Sequence, residues 1–247
     1  MASFSTTVTV DPSRISADDS GTLPPVPTGG NGDRPNSGAP SYGTRLRRAR
    51  IGLLVALTPI LMLFVGFTSA YFVRQGLPTL DPHTNTMGRD WIPVKLPVLL
   101  LFNTAILLLS TLCMEFARRH AKTEAVLASS AANPEACHGD GDNIPWLAVT
   151  LVLGLCFLYG QWLAWRQLAA SGFYVSTTPS SSFVYLLTGA HAIHLLGGVL
   201  ALFAAGLAAL FQRSAIRRSI VVDVTAWYWH FMTALWVYIL SLLEFAR

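Results

Sequence analysis

From residue 51 onward the chain alternates between long apolar runs and short polar segments rich in Arg, Pro, Gly and Asp. The apolar runs fall at 51–73, 97–117, 145–165, 182–211 and 221–246, and the first, third and fourth hold no Asp, Glu, Lys or Arg. At 1.5 Å per residue each spans a hydrocarbon core of ~30 Å as a helix. The runs are continuous and do not alternate over about ten residues, which excludes a transmembrane β-barrel. The pattern predicts an all-α membrane protein, a five-helix bundle over residues 45–247, preceded by a tail.

That tail, residues 1–44, is rich in Ser, Thr, Pro, Gly and Asp and lacks both helical and strand periodicity, so it is predicted to be a disordered cytoplasmic extension. It lacks the basic start, apolar core and small-residue cleavage site of a secretory signal, and the first span is expected to be retained. Composition agrees with a membrane protein: 52% of the 247 residues are hydrophobic and 12% charged. The net charge of +4 does not point to nucleic acid, because the arginines adjoin apolar runs. Four of them, Arg45, Arg47, Arg48 and Arg50, directly precede the first span. With an inside N-terminus, twelve Lys and Arg fall on the cytoplasmic side, at 14, 34, 45, 47, 48, 50, 118, 119, 122, 213, 217 and 218; five fall outside, at 74, 89, 95, 166 and 247. The bias predicts N-in and C-out. Trp91 is expected to anchor the outer interface, and Asp142–Asn143 with Pro145 to open the third span. Cys113, Cys156 and Cys137 form no paired motif and suggest neither disulfide nor metal.

The chemistry lies in the last two runs. His191 and His194 share one face of the fourth, flanked by Gly189, Gly197 and Gly198, where backbones are expected to approach closely. Imidazoles in hydrocarbon face the bundle interior, so His194 with His230 raises a bis-histidine haem site, as in a haem b membrane anchor; the plainer reading is structural or lipid-contacting. The fifth run begins with Asp223 and continues through Trp227, Tyr228, Trp229 and His230. These aromatics form an interfacial belt, and Arg217 and Arg218 one turn earlier are candidates to hold anionic headgroups. Asn103, Thr104 and Gln161, with Thr68 and Ser69, are expected to make interhelical hydrogen bonds. Glu115, Asp223 and Glu244 are placed near span ends, which leaves no carboxylate path for protons within this chain.

Taken together, GFTSAYFVR (66–74), FNTAILLLS (102–110), LGLCFLYGQ (153–161), the block 171–198 with its GxHxxHxxxG, and AWYWHF (226–231) with Trp236 resemble subunit III of the haem–copper terminal oxidases, the cytochrome c oxidase type, over residues 51–246. The resemblance is to a five-helix form without the first two of the family's seven helices. It implies an accessory subunit that binds no haem or copper itself and packs against catalytic subunit I, alongside subunit II and other respiratory chains. Phospholipid binding, a part in shaping oxygen entry and a place in the bacterial plasma membrane are also implied. His191, His194, His230 and Asp223 fall on the family's corresponding positions. Two departures stand out: Pro59 and Ile60 replace a Ser-Glu pair, and Met232 and Thr233 replace Val-Asp. Roles that rest on those acids do not transfer. Subunit III of a quinol oxidase and the accessory subunit of a nitric oxide reductase carry similar blocks and stay open as alternatives.

Overall fold

Charged residues flanking the apolar runs prolong the helices. A computed structural model describes residues 41–80, 87–88, 97–130, 143–174, 178–211 and 214–245. The five helices are α1 (Tyr42–Gly76), α2 (Leu99–Ser130), α3 (Asn143–Ala170), α4 (Pro179–Phe211) and α5 (Ala215–Phe245). All five are long and apolar enough to cross a membrane. Two-residue strands β1 (Thr79–Leu80) and β2 (Met87–Gly88) pair antiparallel after α1. The expectations for residues 1–40, Trp91, Cys137 and Asp142 lie outside the described residues.

Three boundaries differ from the sequence reading. RLRRAR is helical, and α1 begins at Tyr42, inside the stretch assigned to the tail. The segment after residue 117, expected as a charged loop, continues α2 to Ser130. Glu115 binds both Arg118 and Arg119 one turn on, at 2.9 and 3.0 Å, while Ala117, Ala121, Ala125 and Ala128 form a buried stripe with the 3.6-residue period. The extended helix therefore puts Glu115 about half-way along α2. Likewise α5 starts a turn and a half before the apolar run, its first turns carrying buried Ala215, Arg218 and Ser219.

Local chemistry fixes the α3–α4 corner. Gly172 has φ +83°, a left-handed conformation that suits glycine; its N–H donates to Ala169 O and that of Phe173 to Leu168 O, which caps the last carbonyls of α3. Thr178 then caps α4: its Oγ1 accepts from Ser181 N–H while Ser181 Oγ accepts from Thr178 N–H, both at 3.2 Å, with Pro179 in the first helical position.

Helices α2, α3, α4 and α5 form a closed ring in which each packs on the next, and α1 lies outside it against α5 and α4. The ring's core is aromatic, with Phe157, Trp229 and Trp236 fully buried. By contrast α1 buries only Leu57, Phe64 and Tyr71, a single narrow seam of one residue every two turns. Its other faces, including Leu54, Val55, Met62 and Val65, are exposed and apolar, as suits contact with lipid or another chain.

Close approach of α2 and α3 depends on Gly160. A Cβ there would overlap Asn103 Oδ1, whose amide nitrogen donates to Phe157 O at 3.0 Å. Gly66 has open space around its missing Cβ. Gly160→Ala is therefore expected to lower the thermal midpoint of the detergent-purified protein, at a cost of about 1–3 kcal/mol. Gly66→Ala, measured in parallel, is expected to be neutral or slightly stabilising.

Candidate functional site: an ionic clamp and a histidine layer

A carboxylate in a membrane helix requires a cation, and Asp223 has two. Asp223 is buried on α5, and Arg50 of α1 grips it with both donors, Nε to Oδ2 and Nη2 to Oδ1, each at 2.8 Å. Arg118 of α2 adds Nη1 to Oδ1 at 3.4 Å. This fork-to-fork geometry is the strong form of the ion pair. Arg118 also binds Glu115, and His230 Nε2 lies 3.3 Å from Glu115 Oε2. The clamp thus ties α1, α2 and α5 at the end where α1 and α5 begin. The Arg50 guanidinium also sits 5.8 Å above the ring of half-exposed Trp227.

Arg218 departs from its expected headgroup role. It is buried and bonded to Glu124 of α2, so its charge is neutralised within the bundle, whereas Arg217 is exposed. Arg218 and Asp223 are both buried in ion pairs. At the same end Tyr42 OH and Ser219 Oγ are 3.0 Å apart, a further α1–α5 link.

Deeper in the ring lies a layer of aromatic and polar side chains. His191 is fully buried on α4, its ring 5.0 Å from that of Trp236 and edge-on to Phe157 at 6.1 Å. Trp236 Nε1 donates to Thr104 Oγ1 at 2.9 Å, so Thr104 links α2 to α5, and Asn103 links α2 to α3. Trp229 donates to Ser110, and Thr111 and Thr233 pair at 2.8 Å. Thr233 thus engages α2. Thr68 accepts from Tyr238 OH, whereas Ser69, expected to bond across helices, lies on the exposed face of α1.

The two histidines invoked for haem turn to different helices. His194 Nδ1 is 2.7 Å from Ala190 O and its ring meets Phe64 of α1, while His230 points to Glu115 of α2. Tyr228 OH donates to His194 O at 2.8 Å. Gly198 admits Tyr228 closely, for a Cβ there would stand 2.9 Å from its ring; Gly189 has open space, contrary to the close approach expected of it. Gln161 is buried with its Oε1 unpartnered among the described residues. No group of three or more His, Cys, Asp or Glu among the described residues stands in metal-binding proximity.

Sequence reasoning missed the pairing of Asp223 with Arg50 and Arg118, and of Arg218 with Glu124. An acid inside an apolar run signals that a partner exists, but which of seventeen Lys and Arg supplies it is a tertiary question.

Five helices long and apolar enough to cross a membrane, joined by buried polar contacts, define a multi-pass membrane protein. The family model for cytochrome c oxidase subunit III matches residues 43–245, and the chain belongs to that family. A Nocardia farcinica protein named "Probable cytochrome c oxidase subunit 3" is 24% identical over 200 residues, covering 80% of this chain and 87% of the relative. "Cytochrome c oxidase subunit 3" of the starfish Patiria pectinifera is 27% identical over 77% of this chain and 66% of its own length. The Mycobacterium leprae protein named "Probable cytochrome c oxidase subunit 3" is 32% identical over 105 residues, 41% of this chain, so the match spans half of that relative.

Removing Asp223 takes the carboxylate from Arg50 and leaves Arg118 with Glu115, whereas removing Arg50 leaves Asp223 still facing Arg118. Asp223→Ala breaks both contacts and is expected to destabilise by about 1–3 kcal/mol, below the range for a wholly buried pair because the cations left behind are 35% and 23% exposed. Arg50→Ala is expected to cost less, because its side chain is 35% exposed. Thermal unfolding of the two purified variants checks the order.

Proposed function

We propose that this chain is a non-redox accessory subunit III of an aerobic respiratory terminal oxidase of the cytochrome c oxidase type. In this reading it stabilises catalytic subunit I, beside subunit II, binds phospholipid and shapes oxygen access, while haem and copper belong to partner subunits. The observation that carries the reading is the internal use of its polar groups: Asp223, Arg118, Arg218, His230 and Trp236 bind other helices of the same chain. The outward flanks are apolar and suited to a partner or acyl chains. Exposed Arg217, at the end that also carries Arg47 and Arg48, supports a headgroup site there.

The same cationic end is assigned to the cytoplasm, with the tail inside, the C-terminus outside and the protein in the bacterial plasma membrane. A reporter active only outside the cytoplasm is expected to work when fused after residue 247 and to stay silent at the N-terminus; the reverse result contradicts the assignment.

Affinity purification of the tagged chain is expected to bring down a haem–copper subunit with oxygen-uptake activity, and the chain separated from its partners is expected to be colourless. A Soret band retained by the isolated chain contradicts the non-redox reading. Arg217→Ala is expected to lower the phospholipid retained after purification without altering the haem spectrum of the complex; unchanged lipid counts against the headgroup site.

A further inference from the structure

In the middle of the ring three buried polar atoms lack a hydrogen-bond partner among the described residues: Gln161 Oε1 on α3, and Nδ1 and Nε2 of His191 on α4. Both side chains are almost wholly buried, Gln161 2% and His191 0% exposed. The register of α3 against α4 brings them to one level. Trp165 Nε1 donates to Thr188 Oγ1 at 3.1 Å on one side, and Phe157 meets the His191 ring on the other. Gln161 lies one turn from both Phe157 and Trp165 on the same face of α3, and His191 lies one turn from Thr188 on α4.

Burying such atoms unsatisfied is costly in any protein, and within a bilayer there is no bulk water to relieve it. The aromatic groups packed against the His191 ring, Trp236 and Phe157, are neutral. A bare cation finds no anionic ligand there, and an apolar molecule offers no donor to Gln161 Oε1. Water supplies both a donor and an acceptor and is the usual occupant of such sites, with two to four polar partners.

We propose that one or two ordered water molecules are bound inside the ring between Gln161 and His191, donating to Gln161 Oε1 and exchanging a hydrogen bond with a ring nitrogen of His191. This hydrated site joins α3 to α4 as Asn103 joins α2 to α3, and it explains a fully buried imidazole whose polar atoms meet no protein group. It does not depend on which oxidase the chain serves.

The test is a high-resolution map of the protein in its native membrane complex. A density peak within about 3.2 Å of both Gln161 Oε1 and a His191 nitrogen is the result expected. A direct Gln161–His191 hydrogen bond, or close apolar packing with no peak, overturns the proposal. His191→Phe, Gln161→Met and the double variant provide a second readout in the thermal midpoint of the complex. Each single change leaves the other group beside the water with one partner fewer, so the double variant is expected to lose less than the sum of the two. Fully additive losses overturn the proposal whatever the map shows.

Discussion

The salt bridge from Asp223 to Arg50 and Arg118 is the interaction on which the rest of this architecture depends. The ring α2–α5 closes through large apolar and aromatic surfaces, but α1 meets it along a seam of three buried residues. In lipid there is little hydrophobic drive to press one apolar helix against another, so polar contacts and shape decide association. Asp223 supplies the strongest of these, linking the outlying helix and α2 to the central α5 by charge-assisted bonds in a low-dielectric setting. Tyr42–Ser219 at one end and Thr68–Tyr238 towards the other extend the attachment along α1.

Much of the fold was legible in the sequence because membrane helices announce themselves through length and hydrophobicity alone. The five apolar runs became five helices, and the blocks around His191 and AWYWHF pointed to the family later matched over residues 43–245. What escaped was tertiary. The helix ends were placed short because Arg and Glu near an apolar run look like a loop; in the structure Glu115 pairs with Arg118 and Arg119 one turn on, and Glu124 with Arg218 across helices. Arg50 and Asp223 lie 173 positions apart, and Arg118 and Asp223 105, distances over which no local pattern carries information. Arginines counted only for orientation were therefore not recognised as partners of a buried acid. Arg218 was grouped with its neighbour Arg217, although the helix points the two in different directions.

The same division explains why the chain's histidines and tryptophans need not signal redox chemistry. An imidazole in a membrane helix is retained only where it has an energetic use, and ligating iron is one use among several. His194 joins a carbonyl and an aromatic ring, His230 extends the clamp through Glu115, and His191 stacks on Trp236 in the ring's centre. Each contributes to packing a scaffold whose outer flanks are apolar and exposed.

A double-mutant cycle on Arg50 and Asp223, read as the unfolding free energy of the purified protein, tests the clamp most directly. The account predicts a coupling in the upper part of the ~0.5–3 kcal/mol range for groups in one network. Strictly additive losses would show that α1 is held without this ion pair and would contradict it.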